Sequence, residues 1–365
     1  MDKKLLARRI AAIRRQFGKN NIDGLLLTKP ANVSFTTGFL GDDSWAFIGR
    51  TQVYLLTDSR YTEQARGECP HCRIVERTEP LAQALAKLIE KSGLRGALGV
   101  EKTASLADLD TLKKHVKTTI RAVANVTESV RCIKQPGEVA MIRTAAAIAA
   151  RAIRQTTRQI KPGVTESELA GLLDLEIRRL GAKTAFETIV AFGPNASRPH
   201  HQPGKRRLKS NDTVLIDFGA RCNGYCSDIT RCFIVGKPRP LFVRVFETLE
   251  RAQAAAIAVV KAGATITEVD SAARQIIGNA NLPVYGHGTG HGLGLEIHED
   301  PYLKPEIKGT LQAGQVVTIE PGIYMPGKLG ARIEDDVLVT AKGCEVLTRR
   351  CPHSPCLPAW SRSCL

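Results

Sequence analysis

Four carboxylates and one imidazole in the second half of the chain have the types and contexts of a metal site: Asp217, Asp228, Glu320, Glu334 and His291. Asp217 closes the apolar run Thr213-Val-Leu-Ile-Asp217, and Asp228 opens Asp228-Ile-Thr-Arg-Cys-Phe-Ile-Val235 after the turn-rich Arg221-Cys-Asn-Gly224. His291 lies in Gly290-His-Gly-Leu-Gly294, Glu320 in Thr318-Ile-Glu-Pro-Gly322 and Glu334 in Arg332-Ile-Glu-Asp-Asp336. Each alone has an ordinary explanation: a capping Asp at a strand end, a turn-accepting Glu before Pro-Gly, a loop histidine among glycines. Side chains in a strand alternate faces, so Val316 and Thr318 are expected on the face of Glu320, and Arg332 and Asp336 on that of Glu334. An acid on a face that also carries apolar residues needs a partner, because burying an unpaired carboxylate is costly. Together the five could neutralise two divalent cations. Hard oxygens with a single nitrogen suit Mn²⁺ best, with Co²⁺, Fe²⁺ and Zn²⁺ also compatible. Two such ions about 3.5–4 Å apart can share a water, lower its pKa and present hydroxide to a carbonyl. The residues describe a dinuclear metallohydrolase.

Longer segments carry a family resemblance. They are Pro199-His200, Leu215-Ile-Asp-Phe-Gly-Ala220, Ser227-Asp-Ile-Thr-Arg231, Gly286-His-Gly-Thr-Gly-His-Gly-Leu-Gly294, Ile297-His-Glu299, Ile319-Glu-Pro-Gly-Ile-Tyr324 and Arg332-Ile-Glu-Asp335. From about residue 5 to about 348 the chain resembles the pita-bread metallopeptidases: aminopeptidase P, prolidase, methionine aminopeptidase and the metal-free creatinase. The resemblance implies that Asp217 and Asp228 bridge or chelate the metals, that His291 and Glu320 bind the same ion, and that Glu334 bridges both. Creatinase lacks this ligand set. Asp217-Phe-Gly, His287, Arg332 and a separate N-terminal domain resemble the Xaa-Pro branch, which cleaves the bond before proline, more than methionine aminopeptidase. Prolidases often carry an Arg four residues after the second histidine, where it can hold a dipeptide's carboxylate. This chain has Tyr302 there, after His298, which favours the aminopeptidase P type over the alternative, Xaa-Pro dipeptidase.

By the same resemblance Glu320 acts as general base and acid. His200, His287 and His298 line the pocket, hydrogen-bonding the tetrahedral intermediate and helping to move a proton to the leaving nitrogen. Arg332 pairs with a ligand carboxylate, and Thr230 and Tyr302 stand beside ligands or substrate. The expected partners are peptides with proline at the second position and a second copy of the chain, as a homodimer.

These residues need elements to position them. At 365 residues, 43% of them hydrophobic, two domains with real cores are expected. Residues 1–126 alternate strand-like runs, such as Gly24-Leu-Leu-Leu-Thr28 and Gln52-Val-Tyr-Leu-Leu-Thr57, with helical ones, such as Leu81 to Ser92. That pattern reads as an α/β domain. Leu6, Ile10, Ile13 and Phe17 recur at helical spacing between basic residues, as in an amphipathic helix over a core. Lys134-Gln-Pro-Gly-Glu138 breaks the chain before a long Ala-rich helix, and residues 127–348 then form the α+β pita-bread domain. Ile160-Lys-Pro-Gly163 and Val260-Lys-Ala-Gly263 each end an Ala-rich helix; Thr165 with Glu168, and Thr267 with Asp270, are expected to cap the next. Two such units suit the pseudo-twofold repeat. Residues 349–365, with Cys351, Cys356 and Cys364, read as a disordered tail.

Composition narrows the alternatives. No apolar run reaches the 18 or more residues of a membrane span, and no apolar stretch succeeds the charged start as in an export signal, so a cytoplasmic protein is expected. Ten cysteines then read as reduced thiols, with Cys69-Pro-His-Cys72 lacking a second pair for zinc. The net charge of +16 attracts polyanions in general. With only 5% aromatics, no specific nucleic-acid partner is expected. The glycines of Gly286 to Gly294 could cradle phosphate if a helix came next, but Leu293 to His298 reads as strand. A distant alternative is an inactive pita-bread binding protein. It would lose ligands, and none is lost.

Overall fold

A computed structural model describes residues 3–352; compactness divides the chain into two units, the first ending at Arg131 and the second beginning at Cys132. In the first unit the helix Lys3–Arg15 buries Leu6, Ile10 and Ile13, as its apolar spacing dictates. Six strands form one mixed sheet: β1 (Gly24–Leu27), β2 (Trp45–Ile48), β3 (Val53–Thr57), β4 (Arg73–Glu76), β5 (Leu98–Glu101) and β6 (Ile120–Val123), in the order β4-β3-β2-β1-β5-β6. β1 pairs antiparallel with β2 and parallel with β5. Its run of buried leucines is what a strand covered on both faces requires. Leu85 and Ile89 of the helix Leu81–Ser92 pack in one core with Leu26, Phe47, Leu56 and Leu98.

The second unit is built from two helix pairs, Pro136–Thr156 with Glu166–Arg179 and Pro240–Val259 with Ile266–Asn279. The second helix of each pair opens on a capping box. Thr165 Oγ1 accepts from the Glu168 amide at 3.1 Å and Thr265 Oγ1 from the Glu268 amide at 3.1 Å, while each glutamate takes its threonine's N–H. The repeat is therefore real, but its second cap is Thr265 with Glu268, not Thr267 with Asp270. A cap residue must be extended; Thr265 is (φ −74°, ψ 148°), whereas Thr267 already lies in the first helical turn.

Around the first pair lie β7 (Lys183–Thr184), β8 (Ile189–Phe192), β9 (Thr213–Phe218), β10 (Ala220–Cys222), β11 (Tyr225–Cys226) and β12 (Ile229–Ile234), ordered β12-β9-β8 and β11-β10-β7. After the second pair come β13 (Gly290–Gly292), β14 (Glu299–Leu303), β15 (Val316–Ile319), β16 (Gly322–Met325), β17 (Leu329–Arg332), β18 (Asp335–Val339) and β19 (Cys344–Val346). They are ordered β14-β13-β15-β18-β19, with β16-β17 as a separate hairpin. Alternation along β9 divides the core. Val214, Ile216 and Phe218 pack with Ile153, Leu173 and Ile177 of the first helix pair; Leu215 packs with Leu249, Ala252 and Ile319 of the second. Asp217, two residues after Leu215, shares that second face.

Cys351 and Pro352, expected to lie in the disordered tail, are held against the domain. Cys351 is buried in the core of the first helix pair, and Arg231 Nε donates to the Pro352 carbonyl at 2.8 Å. Residues 353–365, with Cys356 and Cys364, lie outside the described residues. The described cysteines are free thiols. Among the described residues no helix is long and apolar enough to cross a membrane.

Candidate metal centre

Two of the candidate ligands come from one regular hairpin. β9 and β12 pair antiparallel with Asp217 opposite Thr230, and Asp228 stands one residue before β12, its amide donating to Asp336 Oδ2 at 3.1 Å. The other three come from places where strands end or slip. In β13 the register shifts between His291 and Gly292, and the His291 amide donates to Thr318 Oγ1 at 3.1 Å rather than to a carbonyl. A Cβ on Gly290 would collide with the Thr318 carbonyl, and one on Gly292 with that of Asp300. These glycines admit close backbones, not phosphate. The strand expected at Leu293 to His298 is an irregular loop that carries His298 out before β14 begins at Glu299.

Glu320 comes directly after the last residue of β15, with its amide on the Thr289 carbonyl at 2.7 Å. Glu334 sits in the corner between β17 and β18, its amide on the Thr230 carbonyl at 3.2 Å. The single strand face expected for Arg332, Glu334 and Asp336 is thus replaced by a corner. Arg332 ends one strand opposite Gly322, and Asp335 opens another opposite Ile319.

Ligand atoms of Asp228, His291 and Glu334 all lie within 4.8 Å of one another. His291 Nε2 is 3.6 Å from Asp228 Oδ2 and 3.6 Å from Glu320 Oε1. Its Nδ1 lies 3.0 Å from the Gly292 carbonyl, so the proton belongs on Nδ1 and the Nε2 lone pair faces the carboxylates. Burial lowers this imidazole to about 4, which keeps it neutral as a ligand must be. Asp217 Oδ2 accepts from Arg332 Nη2 at 2.5 Å, whereas its Oδ1 is buried with no hydrogen-bond partner among the described residues. Glu334 Oε2 takes the Thr230 hydroxyl at 2.6 Å, and Thr230 Oγ1 in turn accepts from Arg332 Nε at 3.0 Å. Arg332 and Thr230 therefore orient ligands from behind.

The electrostatics call for cations. Burial, and then the neighbouring carboxylates, raise Asp228 and Glu334 well above the usual range. Burial also raises Asp217, against the pull of Arg332, and pushes Glu320 up to about 7. Four carboxylates against one guanidinium are unbalanced. Two divalent ions would supply four positive charges, and the orphaned Asp217 Oδ1 would gain a partner. The donor set fits such ions.

Asp217, Asp228, His291, Glu320 and Glu334 all border one cavity of about 520 Å³, with His200, His287, His298, Tyr302, Lys304 and Arg332. All the expected residues thus meet, save that Thr230 stands behind Glu334. His200 is exposed at the cavity edge, while its neighbour His201 is buried on Glu166 Oε2 at 2.9 Å, so the pair is split. The rings of His291 and His298 meet edge-on with centroids 4.4 Å apart. Burial lowers His298, and lowers His287 to about 4. Arg332 Nη1 donates to Tyr324 Oη at 2.9 Å, which leaves the tyrosine proton free to reach His287 Nε2 at 3.1 Å. Nothing in the spacing of Tyr324 or Thr318 marks them as supports, although both lie within the motif segments around Glu320.

Comparison with known proteins identifies the family and the fold. Residues 140–341 match the model of metallopeptidase family M24, and residues 9–133 that of the creatinase/prolidase N-terminal domain. An uncharacterised peptidase of Bacillus subtilis is 37% identical over 95% of this chain and 98% of its own. An Xaa-Pro dipeptidase from Bacillus anthracis superposes with a TM-score of 0.92 at 34% identity, covering 96% of this chain and 100% of that one. An X-Pro aminopeptidase from Thermotoga maritima gives 0.86 at 34% identity, over 93% and 99%. The mixed α/β architecture with its paired helix repeats is the pita-bread fold that the sequence resembles. The chain belongs to metallopeptidase family M24 and carries that family's creatinase/prolidase N-terminal domain.

Proposed function

We propose that this chain hydrolyses the peptide bond between an N-terminal residue and proline, with two divalent cations, Mn²⁺ by preference, held by Asp217, Asp228, His291, Glu320 and Glu334. The observation that carries the reading is the convergence of Asp228, His291 and Glu334 beside the unpartnered Asp217 Oδ1 at one cavity wall. Bound there, the ions supply an acidified water and a polarised carbonyl. Glu320, with 17% of its side chain still exposed on the cavity, is suited to take the water's proton and hand it on. The scissile nitrogen is proline's own and carries no hydrogen, so it must receive a proton to leave as a secondary amine. His298, neutral on the cavity wall, can donate to oxygen as its charge develops, and His287, whose Nε2 meets the Tyr324 hydroxyl, can take part in relaying that proton. Phe186, Ile189 and Pro203 give the cavity an apolar side for the proline ring. A homodimer in the cytoplasm completes the reading; light scattering at twice the chain mass would support the dimer.

Two forms of this activity differ in whether the substrate continues beyond proline. Tyr302, where prolidases often have Arg, favours the aminopeptidase form and cleavage of Xaa-Pro-Xaa. Lys304 favours a second reading, the dipeptidase: two residues on, it lines the same cavity with its Nζ 5.4 Å from the Tyr302 ring centre, and could pair with a free carboxylate. Metal-reconstituted protein assayed on Xaa-Pro, Xaa-Pro-Xaa and Xaa-Ala tests both levels. Equal cleavage of Xaa-Ala would refute proline specificity. In the aminopeptidase form tripeptides are cleaved at least as well as dipeptides, and Tyr302→Arg moves preference toward dipeptides. In the dipeptidase form only Xaa-Pro is cleaved, and Lys304→Met weakens it.

A further inference from the structure

The loop that carries His287 has no ladder of its own. Residues 281–289 run from the end of the helix Ile266–Asn279 to β13 without regular secondary structure. A side chain that must hold one orientation needs its backbone fixed from elsewhere, and one residue of the preceding helix does this. Arg274 Nη1 donates to the Tyr285 carbonyl at 2.7 Å and Nη2 to the His287 carbonyl at 2.6 Å. A planar, forked guanidinium can grip two carbonyls at once; an ammonium cannot reproduce that grip.

The fork is itself held. Asp270, one helical turn earlier and buried, accepts from Arg274 Nε at 2.7 Å. Its other oxygen accepts the Thr289 hydroxyl at 2.7 Å. The Thr289 carbonyl receives the Glu320 amide at 2.7 Å, so the same acid steadies both the histidine loop and the backbone of Glu320. The Tyr285 ring lies between the Arg274 guanidinium, 4.4 Å from its centre, and the His287 ring, 4.9 Å away and inclined by 30°. Backbone grip and ring stack thus converge on one imidazole.

We infer that Asp270 and Arg274 form a positioning pair that sets the orientation of His287 and, through Thr289, of Glu320 for proton transfer. Neither residue borders the cavity or touches substrate. Their effect passes through the groups they hold. This distinguishes them from a helix-to-loop ion pair that merely adds stability, because a positioning effect disappears when its target is removed.

A double-mutant cycle on the metal-loaded full chain reads this directly, with an Xaa-Pro peptide as substrate. Arg274→Met is expected to lower kcat by about thirtyfold, with KM changed less than about threefold and metal content as in the wild type. In a His287→Ala background the same substitution should lower kcat by less than about threefold. Equal losses in the two backgrounds, or wild-type turnover in Arg274→Met, would overturn the inference. Should Arg274→Met not fold, Arg274→Lys keeps the charge without the fork. It is expected to lose about tenfold with the same dependence on His287, and full activity would count against the pair. The assay rests on the Xaa-Pro reading of the site. If the wild type cleaves no Xaa-Pro peptide, that reading fails; if it does and the cycle is additive, the positioning pair fails.

Discussion

The two halves of the catalytic unit supply the candidate ligands by different means. The first offers Asp217 and Asp228 from one hairpin whose register runs unbroken from Phe218 opposite Ile229 to Thr213 opposite Ile234. The second offers His291 at a bulge, Glu320 past a strand end and Glu334 in a corner. A regular ladder fixes side-chain direction by alternation alone. An irregular segment needs borrowed supports, here the Thr318 hydroxyl under the His291 amide, the Thr289 carbonyl on Glu320 and the Thr230 carbonyl on Glu334. The regular half is robust and self-orienting; the irregular half places groups more freely but depends on its neighbours.

Removing one candidate ligand from either half should cost the most. Asp228→Ala and Glu334→Ala should both reduce Xaa-Pro hydrolysis to background while circular dichroism shows the fold retained. Full activity of either in chelator-treated buffer would remove the basis of the dinuclear reading.

Next come the cavity histidines, both from the irregular half. His287→Ala and His298→Ala should each lower turnover by about a hundredfold, the usual loss when a proton-transfer or intermediate-stabilising group goes. Mass spectrometry should find metal content unchanged. Loss of metal in step with activity would make them ligands instead.

Backbone tolerance gives a third contrast, read from denaturant melts. A Cβ on Gly290 meets the Thr318 carbonyl, which is main chain and cannot swing away. Gly290→Ala should therefore cost about 3 kcal/mol or more. Ile216→Val, in the regular hairpin, should cost about 1 kcal/mol, the ordinary loss for a buried methyl.

The smallest effect is on stability against pH. Asp228 and Glu334 sit well above the carboxylate range and Glu320 at about 7. Such groups bind protons more tightly folded than unfolded, so stability they contribute below their unfolded pKa is lost as pH rises toward the folded one. Chelated protein should show a melting temperature falling between about pH 4, the unfolded value, and 7. Glu320→Gln should flatten that slope, and saturating Mn²⁺ should oppose it. A slope unchanged by Glu320→Gln would show that this carboxyl is not the source.

Legibility in the sequence divides along the same line. The β9–β12 hairpin and its two aspartates were legible because alternation and a turn-rich break fix them locally. The five candidate ligands were marked by motifs, but the local geometry of the irregular three was not. Arg332-Ile-Glu-Asp-Asp336 alternates like one strand, yet a corner at Ile333-Glu334 separates two. Leu293 to His298 is apolar enough for a strand, but the cross-chain approach at Gly292 ends the ladder. Thr267 and Thr265 are equally good caps by composition, and only the extended backbone at Thr265 decides between them. Arg274 lies outside every motif segment although it holds the carbonyl of a motif residue, His287, so no spacing rule singled it out. Arg274 did leave one trace, an acid-base pair four residues apart with Asp270 on a helix.

Five residues from both halves are proposed to hold two divalent cations that make this chain a proline-directed exopeptidase. Titrating chelated protein with Mn²⁺ while monitoring release of the N-terminal residue from an Xaa-Pro peptide tests this most directly. Activity should be absent in chelator and return as two equivalents bind. Full hydrolysis in chelator, or full activity with no more than one ion bound, would contradict it.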